Sequence, residues 1–126
     1  MYQNPYQQYK EQSFATMTQG EMLICLYDES IKHLTKAKIY GTNKEYEKFS
    51  EEIDRVKEII TFLDHVLDRK IEISMSLTKL YDYFNYELSR ISAGRKVELI
   101  DELIPLITEL RDTWKQADKL SRTQGA

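Results

Sequence analysis

The sequence predicts an all-α protein, an antiparallel up-and-down four-helix bundle with an N-terminal arm. Apolar residues recur at three- and four-residue steps along most of the 126 residues, as they do on a helix face that packs against a core. The 4 glycines and 2 prolines divide the chain at only a few points. Three short connections then join four amphipathic segments of roughly twenty residues, which favours antiparallel neighbours.

The first helix is predicted to begin at Thr18 and end at Gly41. Residues 18–21 read Thr-Gln-Gly-Glu, a capping-box pattern in which a hydroxyl and a carboxylate satisfy free backbone donors. Residues 42–45 read Thr-Asn-Lys-Glu and predict that a second capping box opens the next helix directly after Gly41. The apolar stripe of that second helix is Phe49, Ile53, Val56, Ile60, Leu63 and Leu67.

Between Arg69 and Leu77 apolar and polar residues alternate, as in a half-buried strand. A solitary strand has no partner here, so we predict a third helix that ends before Gly94. The fourth helix runs from about Lys96 to Leu120, and Pro105 in its middle predicts a kink. Its predicted core face is Leu99, Leu103, Leu106, Leu110, Trp114 and Ala117.

These elements predict three regions: an aromatic arm over residues 1–17, the bundle over residues 18–121 and a disordered tail over residues 122–126. The arm carries aromatic side chains among glutamines and lacks sustained helical periodicity. Its aromatic residues are Tyr2, Tyr6, Tyr9 and Phe14. The predicted core includes Leu26, Ile53, Leu63, Leu77, Leu80, Phe84, Leu103, Leu110 and Trp114.

The charge balance argues against nucleic-acid binding, because 18 basic and 21 acidic residues nearly cancel to a net charge of -3. No apolar run approaches the ~18 residues that span a bilayer. The N-terminus has no recognisable secretion signal, and the lone Cys25 excludes an internal disulfide. We therefore expect a cytoplasmic protein that does not insert into a membrane.

The sequence offers no pattern for catalysis or for a cofactor. A di-metal carboxylate bundle needs Glu-x-x-His pairs, and neither His33 nor His65 has Glu three residues before it. No nucleophile elbow and no phosphate-binding glycine loop is present. We expect a protein that is not an enzyme and binds neither a metal nor a cofactor.

More apolar residues lie on the predicted helices than one core stripe uses. The additional ones are Ile59, Phe62, Val66, Tyr83, Tyr86, Val97 and Ile104. Each bundle helix contacts two neighbours, so a wide apolar face alone explains them equally well. Together with the aromatic arm, however, they favour a groove that accepts an amphipathic segment of a partner.

Several motifs make the chain resemble the FliS family of flagellin-specific export chaperones over nearly its whole length. The motifs are Asn-Pro-Tyr-Gln-Gln-Tyr at residues 4–9, Gly-Glu-Met-Leu at 20–23, Leu-Tyr-Asp at 26–28, Leu-Thr-Lys-Leu-Tyr-Asp-Tyr at 77–83 and Leu-Arg-Asp-Thr-Trp-Lys-Gln-Ala at 110–117. Their order and spacing on a four-helix frame carry the resemblance. The fourth helix departs from common members of the family at Pro105.

The resemblance implies a bacterial cytoplasmic chaperone that holds the disordered C-terminal region of flagellin in a largely helical wrap and blocks premature assembly. It also implies delivery to a flagellar export gate protein of the type III secretion apparatus. The arm is implied to fold over the bundle and to share or cover the client surface. Tyr6 and Tyr9 match the family's N-terminal aromatics, and the stretch from Val56 to Ile60 matches the helix that lines its client groove.

The predicted client-binding residues combine this resemblance with the extra apolar residues. They are Tyr6, Tyr9, Val56, Ile59, Phe62, Val66, Tyr83 and Tyr86. We expect a monomer when free and a 1:1 complex with the client. The alternative is a generic helical adaptor or a homodimeric structural bundle whose apolar ridges meet each other.

Overall fold

A computed structural model describes the backbone of residues 17–124 and the side chains of residues 17–120. This part of the chain consists of four helices and contains no strand, which confirms the all-α prediction. The helices are α1 (Gln19–Thr42), α2 (Tyr46–His65), α3 (Ile73–Gly94) and α4 (Val97–Gln124). The predicted arm, apart from Met17, and the last two residues of the predicted tail lie outside the described residues.

Two ion pairs show that α1 and α4 run antiparallel. Lys38 Nζ lies 2.7 Å from Asp101 Oδ1, and Arg111 Nη1 lies 2.8 Å from Asp28 Oδ1, so residue numbers rise along one helix as they fall along the other. α1 packs closely against both α2 and α4, while α3 packs mainly against α2. The contact between α3 and α4 is by far the sparsest of these four helix pairs. The bundle is therefore tightly closed on three sides and loosely closed on the fourth.

Most of the residues that were predicted to form the core are buried in the structure. Six predicted core residues are buried: Leu26, Ile53, Leu63, Leu77, Phe84 and Leu103. The other three, Leu80, Leu110 and Trp114, are only partly buried and pack against the edge of the core. The prediction was wrong about their depth, because helical spacing identifies an apolar face but not how closely the neighbouring helices cover it.

The beginning of α1 confirms the first capping box in part. Thr18 is the N-cap, and its Oγ1 accepts a hydrogen bond of 3.1 Å from the backbone N–H of Glu21. That bond satisfies one of the free donors in the first helical turn, so it fixes where the helix begins.

The second capping box is absent, since Thr42 is still part of α1 and α2 begins only at Tyr46. The chain instead turns through Lys44, whose φ of 62° is left-handed. The backbone N–H of Lys44 donates to the Gly41 carbonyl, and that of Glu45 donates to the Tyr40 carbonyl. This pair of reversed hydrogen bonds is a Schellman ending, in which a left-handed residue lets the last carbonyls of a helix find donors.

Gly41 does not end α1, as the sequence had suggested, but lies buried inside it. A Cβ at this position would come within 2.6 Å of Val97 Cγ2 and 3.0 Å of Phe49 Cδ2. The glycine therefore allows α2 and α4 to approach α1 at this end of the bundle.

α3 confirms that the alternating segment is not a strand. Ile73 begins the helix, and Ile71, Ile73 and Met75 are all exposed, whereas Leu77 is buried. The alternation therefore reflects a surface loop and the first helical turn. α4 passes through Pro105 without a break, and the proline is exposed, which confirms one helix instead of two.

The predicted core face of α4 is rotated from the observed one. Ile100, Leu103 and Ile107 are buried, whereas Leu106 is 39% exposed and Ala117 is also exposed. Leucines at residues 99, 103, 106 and 110 follow a heptad pattern that would suit a core stripe. Ile100 and Ile107 lie closer to the bundle axis. Leu106 and Leu110 therefore lie at the side of α4 that meets α3.

Candidate functional site

Within the described residues, no group of three or more His, Cys, Asp or Glu side chains is arranged to hold a metal ion. His33 joins α1 to α2, because its Nδ1 lies 2.5 Å from Glu52 Oε2 and its Nε2 lies 3.5 Å from Glu29 Oε2. No helix in residues 17–124 has the length and apolar content of a membrane span.

The polar groups in the core are structural. The hydroxyls of Tyr27 and Tyr81 form a hydrogen bond of 2.5 Å between α1 and α3, and both residues are buried. Burial raises the pKa of both tyrosines, because the protein interior disfavours phenolate. Ser30 Oγ donates to the Leu26 carbonyl within α1. These hydroxyls are satisfied by hydrogen bonds within the bundle.

An apolar strip runs along the sparse contact between α3 and α4, and we call it the α3–α4 seam. It consists of Leu80 and Tyr83 of α3 and Leu99, Leu106 and Leu110 of α4. A hollow of about 260 Å³ lies in it, lined by Leu80, Leu106, Glu109, Leu110 and Thr113. Leu106 is 39% exposed and Tyr83 is 44% exposed, so solvent reaches apolar side chains along the seam.

The width of the apolar face on α4 produces this seam. One row of α4 is buried in the core, while Leu99, Leu106 and Leu110 form a second row at seven- and four-residue steps. That second row faces α3, which does not pack closely enough to cover it. The seam is thus a half-filled helix–helix interface whose geometry suits an added amphipathic helix.

A second apolar surface lies on α2, and we call it the α2 ridge. It consists of Ile59 and Val66, which are partly buried, and Phe62, which is 42% exposed. A shallow hollow of about 440 Å³ lies beside Phe62. Glu52, two helical turns before Ile59 on the same flank, contacts α1 through His33. The α2 ridge therefore borders α1.

The α2 ridge and the α3–α4 seam lie on different sides of the bundle. Asp64 on the opposite flank of α2 is linked to α3, because Arg69 pairs with the Asp64 carboxylate and donates a hydrogen bond to Thr78 Oγ1 of α3. Since α3 lies on that flank, Ile59 and Phe62 point away from it, whereas Val66 at the end of α2 also lines a hollow with Leu77 and Tyr81 of α3. Tyr83 lies about one turn beyond Leu80, on the flank of α3 where Leu80 meets Leu106 and Leu110 of α4. The single groove predicted from the sequence is therefore two separate surfaces.

The remaining predicted site residues have different surroundings. Val56 is fully buried and presents no surface to a partner, in contrast to the prediction. Tyr86 is 64% exposed, and the Arg90 guanidinium lies 5.9 Å from its ring centroid. Tyr6 and Tyr9 lie outside the described residues.

Sequence reasoning missed the leucines of the seam because it placed them in the core. Val97 and Ile104, two of the extra apolar residues, are partly buried against the core. The signal that could have identified the seam is that α4 carries two apolar rows, one rich in isoleucine and one rich in leucine. Only one row can face the bundle axis, so the other must meet a neighbour or remain open.

Comparison with known proteins gives two matches over nearly the whole chain. Residues 2–121 match the sequence model of the family described as "Flagellar protein FliS". The chain is also 32% identical over 120 residues to the flagellar secretion chaperone FliS of Bacillus subtilis (strain 168). That alignment covers 95% of this chain and 90% of the relative.

Proposed function

Because the chain belongs to the FliS family of flagellar proteins, we propose that it is an export chaperone for flagellin in the bacterial cytoplasm. It binds the disordered C-terminal region of flagellin and prevents premature polymerisation. It then delivers its client to the export gate protein of the flagellar type III secretion apparatus. The match to a relative named as a flagellar secretion chaperone supports the class of function.

The observation that carries the client proposal is the pair of apolar surfaces on different sides of one small bundle. Disordered segments can wrap a large surface, because they order only on binding. A client that occupies both the α3–α4 seam and the α2 ridge must pass around the bundle. This geometry supports the extended, largely helical wrap that the family resemblance implies.

The seam accepts one helical part of the client. Apolar client residues at i, i+3, i+4 and i+7 pack between Leu80 and Tyr83 on one side and Leu106 and Leu110 on the other. The α2 ridge accepts a further apolar part through Ile59, Phe62 and Val66. Tyr86 and, from the arm, Tyr6 and Tyr9 complete the proposed contact set.

The direct test mixes the purified protein with flagellin that is intact or lacks its C-terminal region. Intact flagellin should form a stable 1:1 complex in size-exclusion chromatography, and the truncated form should not. Calorimetry should give a negative heat-capacity change, because ordering the client buries apolar surface. Equal binding of both forms would show that the C-terminal region is not the client segment.

Surface variants test where the client binds. Leu106→Glu in the seam and Phe62→Glu on the α2 ridge should each weaken the complex at least about tenfold, since a charge is buried against apolar client atoms. Ile39→Glu and Met75→Glu are matched controls, because these residues are 55% and 72% exposed and lie outside both surfaces. All four variants should keep the helical circular dichroism of the wild type.

The same variants address the alternative of a homodimeric bundle. Sedimentation of the free protein at micromolar concentration should give a monomer. A dimer that Leu106→Glu dissociates would instead mean that two seams pair with each other, and it would contradict the proposed client role of this surface.

A further inference from the structure

The rim of the α3–α4 seam on α4 is acidic. Glu98, Glu102 and Glu109 are all exposed and lie at four- and seven-residue steps, so they form one row beside the seam leucines. Glu109 also lines the hollow in the seam. Glu102 and Glu109 are two helical turns apart, which is about 10 Å along the axis.

These three carboxylates have no ion-pair partner within the described part of the chain, and they differ in this from the acids on the other flank of α4. There Asp101 pairs with Lys38 of α1, and Asp112 pairs with Arg111. On α3, the carboxylate of Glu87 is buried, and it is already paired with Arg90. The charge on the α4 rim is therefore exposed to solvent and acts on any group that approaches the seam.

We propose that the α3–α4 seam selects an amphipathic helix that carries Lys or Arg along one edge of its apolar face. The apolar face fills the seam, and its basic edge lies along the acidic rim of α4. Opposite charges at this rim favour one orientation and disfavour helices with an acidic edge. This inference rests on the proposed function, because the helix is taken to be a segment of the flagellin client.

The dimensions of the seam define the segment further. Leu99 and Leu110 are 11 residues apart, which corresponds to about 16 Å of helix, so roughly three turns of the partner are in contact. Basic residues seven positions apart on that segment would meet Glu102 and Glu109 together. The α3 rim carries the cationic Lys79 instead, so the two edges of the partner helix experience different charges.

The experiment uses two synthetic helical peptides of about 18 residues, five helical turns, with the same leucine face. One carries Lys at two positions seven residues apart on one edge, and the other carries Glu there. At low salt the full-length protein should bind the Lys peptide about tenfold more tightly than the Glu peptide, as expected for two exposed ion pairs and the loss of repulsion. High salt should reduce the difference.

Charge variants then locate the selectivity. Glu102→Gln/Glu109→Gln should remove the preference, and Glu102→Lys/Glu109→Lys should reverse it. The control Glu47→Lys/Asp54→Lys changes the same charge at exposed positions of α2 and should leave the preference intact. Equal affinity for the two peptides at low salt, or a preference that Glu102→Lys/Glu109→Lys does not change, would overturn the proposal.

Failure of this inference is distinguishable from failure of the proposed function. Flagellin that binds the wild type and Glu102→Gln/Glu109→Gln equally well would refute the acidic selection and leave the chaperone role standing. A charge preference among peptides without any binding of flagellin would refute the client and leave the acidic selection standing.

Discussion

At the level of single residues, Gly41 shows how a backbone position is constrained by its neighbours and not by its own conformation. The space for a side chain there is already taken by Val97 and Phe49. Gly94 is also helical, but a Cβ there would meet only the flexible side chain of Lys96. The two glycines therefore allow a matched comparison.

We predict that Gly41→Ala lowers the free energy of unfolding by about 1–3 kcal/mol, because the added methyl overpacks the junction of α1, α2 and α4. Gly94→Ala should change stability by less than about 1 kcal/mol, and alanine's better helix propensity favours an increase. Urea unfolding followed by circular dichroism measures both. A Gly41→Ala variant as stable as the wild type would mean that the junction can relax around a methyl group.

The buried tyrosine pair leads to a prediction at alkaline pH. Burial raises the folded-state pKa of Tyr27 and Tyr81 above the ordinary value near 10. Below pH 10 both tyrosines are neutral in the folded and unfolded states, and their contribution to stability is fully present. As pH rises above 10, the unfolded chain releases these protons first, so stability falls by at most about 1.4 kcal/mol per pH unit for each tyrosine.

Unfolding experiments between pH 8 and about 11.5 should therefore show a steep loss of stability above the ordinary tyrosine pKa. The double variant Tyr27→Phe/Tyr81→Phe removes both hydroxyls together and leaves neither unpaired. It should have a shallower alkaline slope, whatever its stability at neutral pH. Parallel slopes for the variant and the wild type would refute the assignment.

At the level of the helices, α3 carries two leucines with different roles. Leu88 is fully buried, whereas Leu80 is partly buried at the seam. We predict that Leu88→Ala costs about 2–5 kcal/mol of stability through lost burial and a cavity. Leu80→Ala should cost less, about 1–2 kcal/mol, because part of its surface is already in water. Client affinity should respond in the opposite order, with Leu80→Ala weakening binding more than Leu88→Ala.

The helices themselves could be predicted from the sequence, because apolar spacing sets the helical period and a Thr-x-x-Glu pattern begins α1. The end of α1 could not, since the Schellman turn uses Lys44 where glycine or asparagine is the usual signal. The prediction of which face of α4 is buried was wrong for a different reason. Two apolar rows compete for the core there, and only the distances between helices decide which row is buried.

The sequence predicted that the candidate site is an apolar surface, but it did not predict where on the bundle that surface lies. The excess of apolar residues indicated a binding surface, and Phe62, Tyr83 and Tyr86 are indeed exposed. Their grouping into one groove was wrong, because a helical wheel gives the direction of a side chain on its own helix only. Which neighbour occupies that direction depends on the order of helices around the bundle.

At the level of the whole molecule, the arm supplies the remaining prediction. Its aromatic residues need a surface, and we expect the arm to shield part of the client surface in the free protein. Trypsin cleavage after Lys10 should then be slow in the free protein and faster when the C-terminal region of flagellin is bound. Cleavage that is equally rapid in both states would show an arm that never docks, and slower cleavage in the complex would show that the client orders it.

The unequal closure of the bundle also bears on protein engineering. α1 packs closely against α2 and α4, and α2 packs closely against α3, while the contact between α3 and α4 is sparse. The two exposed residues of the seam, Tyr83 and Leu106, can therefore be randomised in a library with a small cost in folding yield. Chaperones directed at new export cargoes could be selected from such a library on an unchanged scaffold, because the randomised side chains lie outside the buried core.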